Sequence, residues 1–299
     1  MIRLRNICSD FLRFWEAARG KGQEAQLRLW EELYESKHSE VFQVYFSPPY
    51  WGRREDLTRA LQRYVADIEK IEETTKAIEG LTLEIIKKAL ETFATDETRV
   101  DIDIFVFVGV YGADGFVFPV ERGRTTVFLA LECLAGYEPD HMRALIAHEL
   151  SHGFHLELGR RANPQAFRQA VENVEELMSW IAGNLFLEGL AVAASKRIIP
   201  GLAERTYLFY SLDQWRWCRE NEERLKELIL EKLNSRDQDL ARRFFTFCEP
   251  TEDLPYPRTG YYVGYLAIER LLERHSLREL AAIEPKEFSK LIREALGGD

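Results

Sequence analysis

The chain has 299 residues, of which 46% are hydrophobic and 30% charged, with six histidines and a formal net charge of −10. That composition is ordinary for a globular protein, and the length suffices for one large domain or two lobes. The acidic balance argues against nucleic acid and anionic membrane as partners, because both are polyanionic surfaces.

The first residues, Met1-Ile2-Arg3-Leu4-Arg5-Asn6-Ile7-Cys8, contain no continuous apolar run, which predicts no signal peptide. No stretch reaches the roughly 18 apolar residues of a membrane span. Cys8, Cys133, Cys218 and Cys248 are scattered and form no CxxC pair. That usage predicts a reducing, cytoplasmic compartment.

Residues 1–98 read as a helical region. Phe11, Leu12, Phe14 and Trp15, then Leu27, Trp30, Leu33 and Tyr34, recur at helical spacing. Ser47-Pro48-Pro49-Tyr50-Trp51-Gly52 predicts a loop. A charged helix is expected over 56–79, ended by Gly80, and another over 82–93. The periodicity then shortens. Residues 100–108 are rich in β-branched and aromatic side chains and predict a strand. Gly112-Ala113-Asp114-Gly115 is a turn signal, 116–118 a short strand kept near an edge by Pro119, Arg122-Gly123 a second turn, and 125–131 a further strand. A helix is expected over 139–158, opened by Pro139-Asp140 and stopped by Gly159. Further helices are expected from Asn163-Pro164 to Trp180, over 183–199 up to Pro200-Gly201, over 220–233, and over 260–275. The fold class is therefore α+β, mostly helical, with a small mixed sheet (100–132) preceding the 139–158 helix. The expected division is a helical region over 1–98 and a second domain over 99–299.

The chemistry concentrates in His148-Glu149-Leu150-Ser151-His152. Residues four apart on a helix differ by about 40° and about 6 Å along the axis, so two imidazoles project side by side and can share one Zn²⁺. Glu149 stands on the adjacent flank, where a carboxylate can take a proton from an activated water. Met142, Leu145, Ile146, Leu150, Phe154 and Leu158 supply an apolar surface that would hold this helix in a core.

A catalytic zinc site takes three protein ligands and keeps one open position. His155 follows His148 by seven residues, about 10 Å further along the axis, so an unbroken helix cannot bring both to one ion. It reads as a neighbouring or core histidine. A metzincin extension is absent, since its glycine position is His155 and its third histidine position Leu158. A glutamate from a second helix remains, and two compete. Glu172 lies 20 residues after His152. Glu188 stands as an isolated acid among small and apolar residues, where a carboxylate calls for a cation partner. That burial argument favours Glu188. Gly189, Ala191, Ala193 and Ala194 would let its helix approach the motif helix closely.

His148-Glu149-Leu150-Ser151-His152 followed by Leu187-Glu188-Gly189-Leu190-Ala191 resembles the gluzincin superfamily of zinc metallopeptidases. The chain is most similar to little-characterised bacterial families of zinc-dependent proteases with a later Gly-Tyr-x-x-Gly-Tyr, which stands here as Gly260-Tyr261-Tyr262-Val263-Gly264-Tyr265. The resemblance covers roughly residues 100–280. It implies a zincin-like fold, one zinc per chain on His148, His152 and Glu188, and Glu149 as general base. It further implies a peptide or protein substrate, pairing of an extended substrate with the 125–131 strand as a sheet edge, and an oxyanion-stabilising tyrosine. Tyr261, Tyr262 and Tyr265 are candidates, with Tyr261 favoured at the start of its helix. Two features depart from thermolysin-like enzymes: Val192 stands where an aspartate would orient a ligand, and 36 positions separate His152 from Glu188. A substrate amine would require acids such as Glu132 or Glu157. The competing expectations are a zinc-bearing interaction protein without activity and a metal-dependent hydrolase of a non-peptide bond. Oligomeric state has no signature in the sequence.

Overall fold

The computed structural model describes residues 1–47, 51–96, 100–120, 124–172 and 174–297, apart from the side chains of 119–120, 169–172 and 174–176. The chain divides into two compact units, Met1–Lys87 with Glu97–Glu149, and Lys88–Asp96 with Leu150–Asp299. The class is α+β, with a small mixed sheet and many helices.

The first unit opens with a strand, β1 (Ile2–Asn6), which the reading of 1–98 as largely helical does not single out. Its Ile-Arg-Leu-Arg alternation is a strand pattern, but at five residues it is too short to stand out, and its pairing partner lies 100 positions away. Helices α1 (Cys8–Ala18), α2 (Gln23–Trp30) and α3 (Ser39–Tyr45) follow. Phe11, Phe14, Trp30, Tyr34, Phe42 and Tyr64 are fully buried and meet mainly edge to face, for example Trp30–Tyr34 with centroids 5.0 Å apart.

Helix α4 (Leu57–Thr92) is continuous, so Gly80 does not end it. A mid-helix glycine costs only about 1 kcal/mol. The buried stripe Leu57, Leu61, Tyr64, Ile71, Ile78, Ile85 outweighs that cost. The expected loop over 47–52 falls partly, and the turn Arg122-Gly123 wholly, outside the described residues.

Strands β2 (Ile102–Phe107), β3 (Gly115–Val120) and β4 (Arg124–Ala130) complete a sheet of order β1-β2-β4-β3. β1 and β4 run parallel to β2, and β3 runs antiparallel to β4. The sheet therefore draws on both sides of the 98/99 boundary. Arg3 forks onto Asp103 through two 2.6 Å hydrogen bonds, locking β1 to β2. The order also corrects the edge assignment: the 125–131 strand is internal, and the edges are β1 and β3, the strand with Pro119. A strand paired on both sides has no backbone groups left for a substrate.

The segment 108–112, between β2 and β3, is pinned by side chains. The Tyr34 hydroxyl accepts from Val108 N (2.8 Å), Tyr45 from Val110 N (2.9 Å), and Glu132 from Gly109 N (2.8 Å) and Tyr111 N (3.0 Å). Glu132 belongs to the short helix α5 (Leu131–Leu134). Helix α6 (Pro139–Ala162) then carries the histidine motif. It runs through Gly159, where no stop occurs. A Cβ on Gly159 would stand 1.9 Å from Phe167 Cζ, so this glycine serves a close approach.

The second unit continues through α7 (Pro164–Glu172), α8 (Val174–Ser179) and α9 (Ile181–Ile198). Next come α10 (Glu204–Leu208), α11 (Leu212–Glu220), α12 (Glu222–Lys232) and α13 (Gln238–Phe245). Helices α14 (Thr259–Leu271), α15 (Leu277–Ala281) and α16 (Phe288–Ala295) end the chain. Helix α9 is buried along most of its length and packs chiefly on α14. At the crossing, a Cβ on Gly189 would stand 2.3 Å from Gly264 O, and one on Gly264 2.4 Å from Leu185 O. The small residues expected to bring α9 to the motif helix thus include one that serves α14.

Candidate metal centre

Helix α6 is surrounded by protein around the motif. Ala144, Ile146, Ala147, Leu150 and Phe154 are fully buried, and His148 and Glu149 are only 3% and 7% exposed. Polar residues this deep need a role or a partner. His148 and His152 on α6 and Glu188 on α9 each offer one ligand atom, all within 4.8 Å of one another. His152 Nε2 stands 3.4 Å from Glu188 Oε2. A direct N–H···O hydrogen bond is shorter, about 2.7–3.2 Å. Two ligand atoms sharing a tetrahedral zinc at about 2.0–2.1 Å each would stand about 3.3 Å apart. Two imidazoles and one carboxylate are also the donor set that a catalytic zinc takes. The residues present fit a zinc ion.

The rival acid, Glu172, ends α7, and its side chain lies outside the described residues. His155 does not belong to the cluster. It is buried among the rings of Phe167, Phe186 and Phe288 at 5.8–6.2 Å, and neither ring nitrogen has a hydrogen-bond partner among the described residues. Burial first, and the charge of His152 second, push its pKa down to about 3, so it stays neutral.

Glu149 faces the start of β3. A Cβ on Gly115 would stand 2.6 Å from Glu149 Cγ, so the absence of a side chain there makes room for the carboxylate arm. Of the three candidate tyrosines, two are engaged elsewhere. Tyr262 donates to Glu222 Oε2 (2.7 Å), and Tyr265 donates to Glu204 Oε2 (3.2 Å) while accepting from Lys196 Nζ (2.5 Å). Tyr261 lies in the first turn of α14, its ring under the Arg258 guanidinium at 4.1 Å.

The two acids considered for a substrate amine are occupied. Glu132 holds the 108–112 backbone, and Glu157 accepts from Arg160 and Arg161 at 2.6–3.1 Å. Gly115 escaped sequence reasoning because it reads as part of a turn. Arg258 gave no local signal, since its place beside Tyr261 depends on how α14 begins.

The pattern of the family described as "Putative zinc dependent peptidase (DUF5700)" matches residues 18–292. The chain belongs to this family. That description agrees with the zinc-compatible cluster on α6 and α9, and it extends the relationship over nearly all of the helical N-terminal region. Among curated proteins and among solved structures, none matches the chain. No helix among the described residues is long and apolar enough to cross a membrane.

Proposed function

We propose that this chain is a gluzincin-type zinc metallopeptidase with one zinc held by His148, His152 and Glu188. The convergence of these three donors within 4.8 Å, in a family described as "Putative zinc dependent peptidase", carries the reading. A zinc ion bound there supplies a Lewis acid for the scissile carbonyl and makes a water acidic enough to deprotonate near neutral pH. Glu149 takes the proton of the attacking water and returns it to the leaving amine. Its burial shields the carboxylate from bulk water. Gly115 leaves the arm of Glu149 in place, and Tyr261 offers a phenol donor where oxyanion charge develops. The open edge of β3 runs past Glu149 and offers backbone groups to an extended peptide. Its place in the cytoplasm belongs to the same proposal, supported by four cysteines that all stand as free thiols.

The test is zinc analysis of the purified chain together with a broad peptide library. About one zinc per chain and chelator-sensitive cleavage are expected. Absence of transition metal even after zinc reconstitution would sink the reading.

A further inference from the structure

Arg258 stands at the N-cap of α14, outside the metal cluster. Its backbone is left-handed (φ 59°), a costly conformation for a residue with a side chain, and it is held there by the chain around it. Its carbonyl accepts from the Tyr210 hydroxyl and from Tyr261 N (3.1 Å). The half-buried guanidinium lies in a cradle of three rings: Tyr261 at 4.1 Å, Phe247 at 5.0 Å and Phe209 at 5.7 Å. Such faces hold a cation from above and below, and the Tyr261 phenol also takes a hydrogen bond from it, so one of its five in-plane donors is used. The carboxylate whose charge acts on it is that of Glu188. Arg197 of α9, by contrast, pairs with Glu269 of α14 at 2.7 Å.

Burial opposes the charge on Arg258, but the phenols of Tyr261 and Tyr210, and beyond them the Glu188 carboxylate, hold it protonated. The fixed cation thus sits on the ring of the candidate oxyanion donor and within electrostatic reach of a candidate metal ligand. A zinc ion would already balance Glu188, so the guanidinium is surplus positive charge with a planar, two-pronged donor face. That face matches a carboxylate.

Resting on the metallopeptidase reading, we propose that Arg258 is a specificity residue that binds a carboxylate of the peptide substrate. The enzyme therefore prefers peptides that place a negative charge close to the scissile bond. Two sources share this chemistry, the C-terminal carboxylate and an acidic side chain.

Three matched sets of N-acetylated peptides separate them: free C-terminal acids without acidic side chains, the same sequences as C-terminal amides, and amides carrying one glutamate. The zinc-loaded full chain is assayed for cleavage, and its Glu149→Gln variant for calorimetric binding. A carboxylate-bearing set is expected to exceed the neutral amides in both by about tenfold or more, the scale of one charge-assisted hydrogen bond. Arg258→Asn, whose residue tolerates the left-handed backbone, is expected to bring that ratio close to one. Equal cleavage and binding of all three sets by the native residue would overturn the proposal and leave the peptidase reading standing. Arg258-dependent binding without cleavage of any set would do the reverse.

Discussion

Gly115 and Glu149 are in contact across the start of β3: a Cβ on Gly115 would stand 2.6 Å from Glu149 Cγ and 3.1 Å from its Cδ. The only backbone that can pass the candidate base this closely is one without a side chain. The Gly115→Ala variant is expected to displace the Glu149 carboxylate and lower kcat by about ten- to a hundredfold, the usual effect of misplacing a reacting group by about 1 Å. Zinc content should not change, since neither residue is a proposed ligand. Steady-state kinetics alongside metal analysis checks this; an unaltered kcat would remove Gly115 from the site.

The third ligand can be separated from its rival by metal affinity. Glu188→Ala is expected to weaken zinc binding by about a hundredfold or more, because it deletes one of three protein ligands. Glu172→Ala should hold zinc as the native chain does. Chelator competition reads both; the opposite ranking would transfer the ligand role to Glu172.

Among the tyrosines, Tyr261→Phe is expected to lower kcat by about a hundredfold with little change in KM, as loss of an oxyanion donor does. Tyr262→Phe instead removes the buried donor of the hydrogen bond to Glu222, so its effect should appear in thermal stability. A kinetic defect in Tyr262→Phe equal to that of Tyr261→Phe would count against this division.

Much of this site was legible in sequence because its signals are local. The His148 and His152 spacing, the apolar stripe of α6 and the start of α14 are all fixed within a few turns of one helix. Glu188 could be ranked but not placed, since its position depends on α9 meeting other helices. What the sequence hid was non-local or overridden. β1 pairs with a strand 100 residues on, Gly80 and Gly159 are carried through helices by tertiary burial, and β4 is internal because β3 folds back beside it. Arg258 acquires its neighbours only through the folded approach to α14.

The pH dependence of stability should carry two opposed contributions. His155, with a pKa pushed down to about 3, stays neutral when folded but takes a proton at its ordinary value of 6.5 when unfolded. The unfolded state then binds more protons, so stability falls as pH drops from 6.5 towards 3, by about 1.4 kcal/mol per pH unit at most. His155→Phe should flatten that acid limb in denaturant titrations. An unchanged limb would show that His155 does not govern it.

Glu132 acts in the other direction. Burial raises its pKa to about 7, against the donation from Gly109 N and Tyr111 N and with help from nearby Asp114. Between its ordinary 4.5 and 7 the folded state binds more protons, so this contribution is full below 4.5 and is lost as pH rises through 7. Glu132→Gln should lower stability most at acid pH and least at pH 8. A deficit that grows towards alkaline pH would contradict the assignment.

The most direct test of the central claim is Glu149→Gln, with zinc content and peptide-library cleavage measured on the same samples as the native chain. The account predicts about one zinc per chain in both, a count set by a single three-ligand site, and cleavage by the native chain alone. Equal cleavage by the two proteins would contradict it.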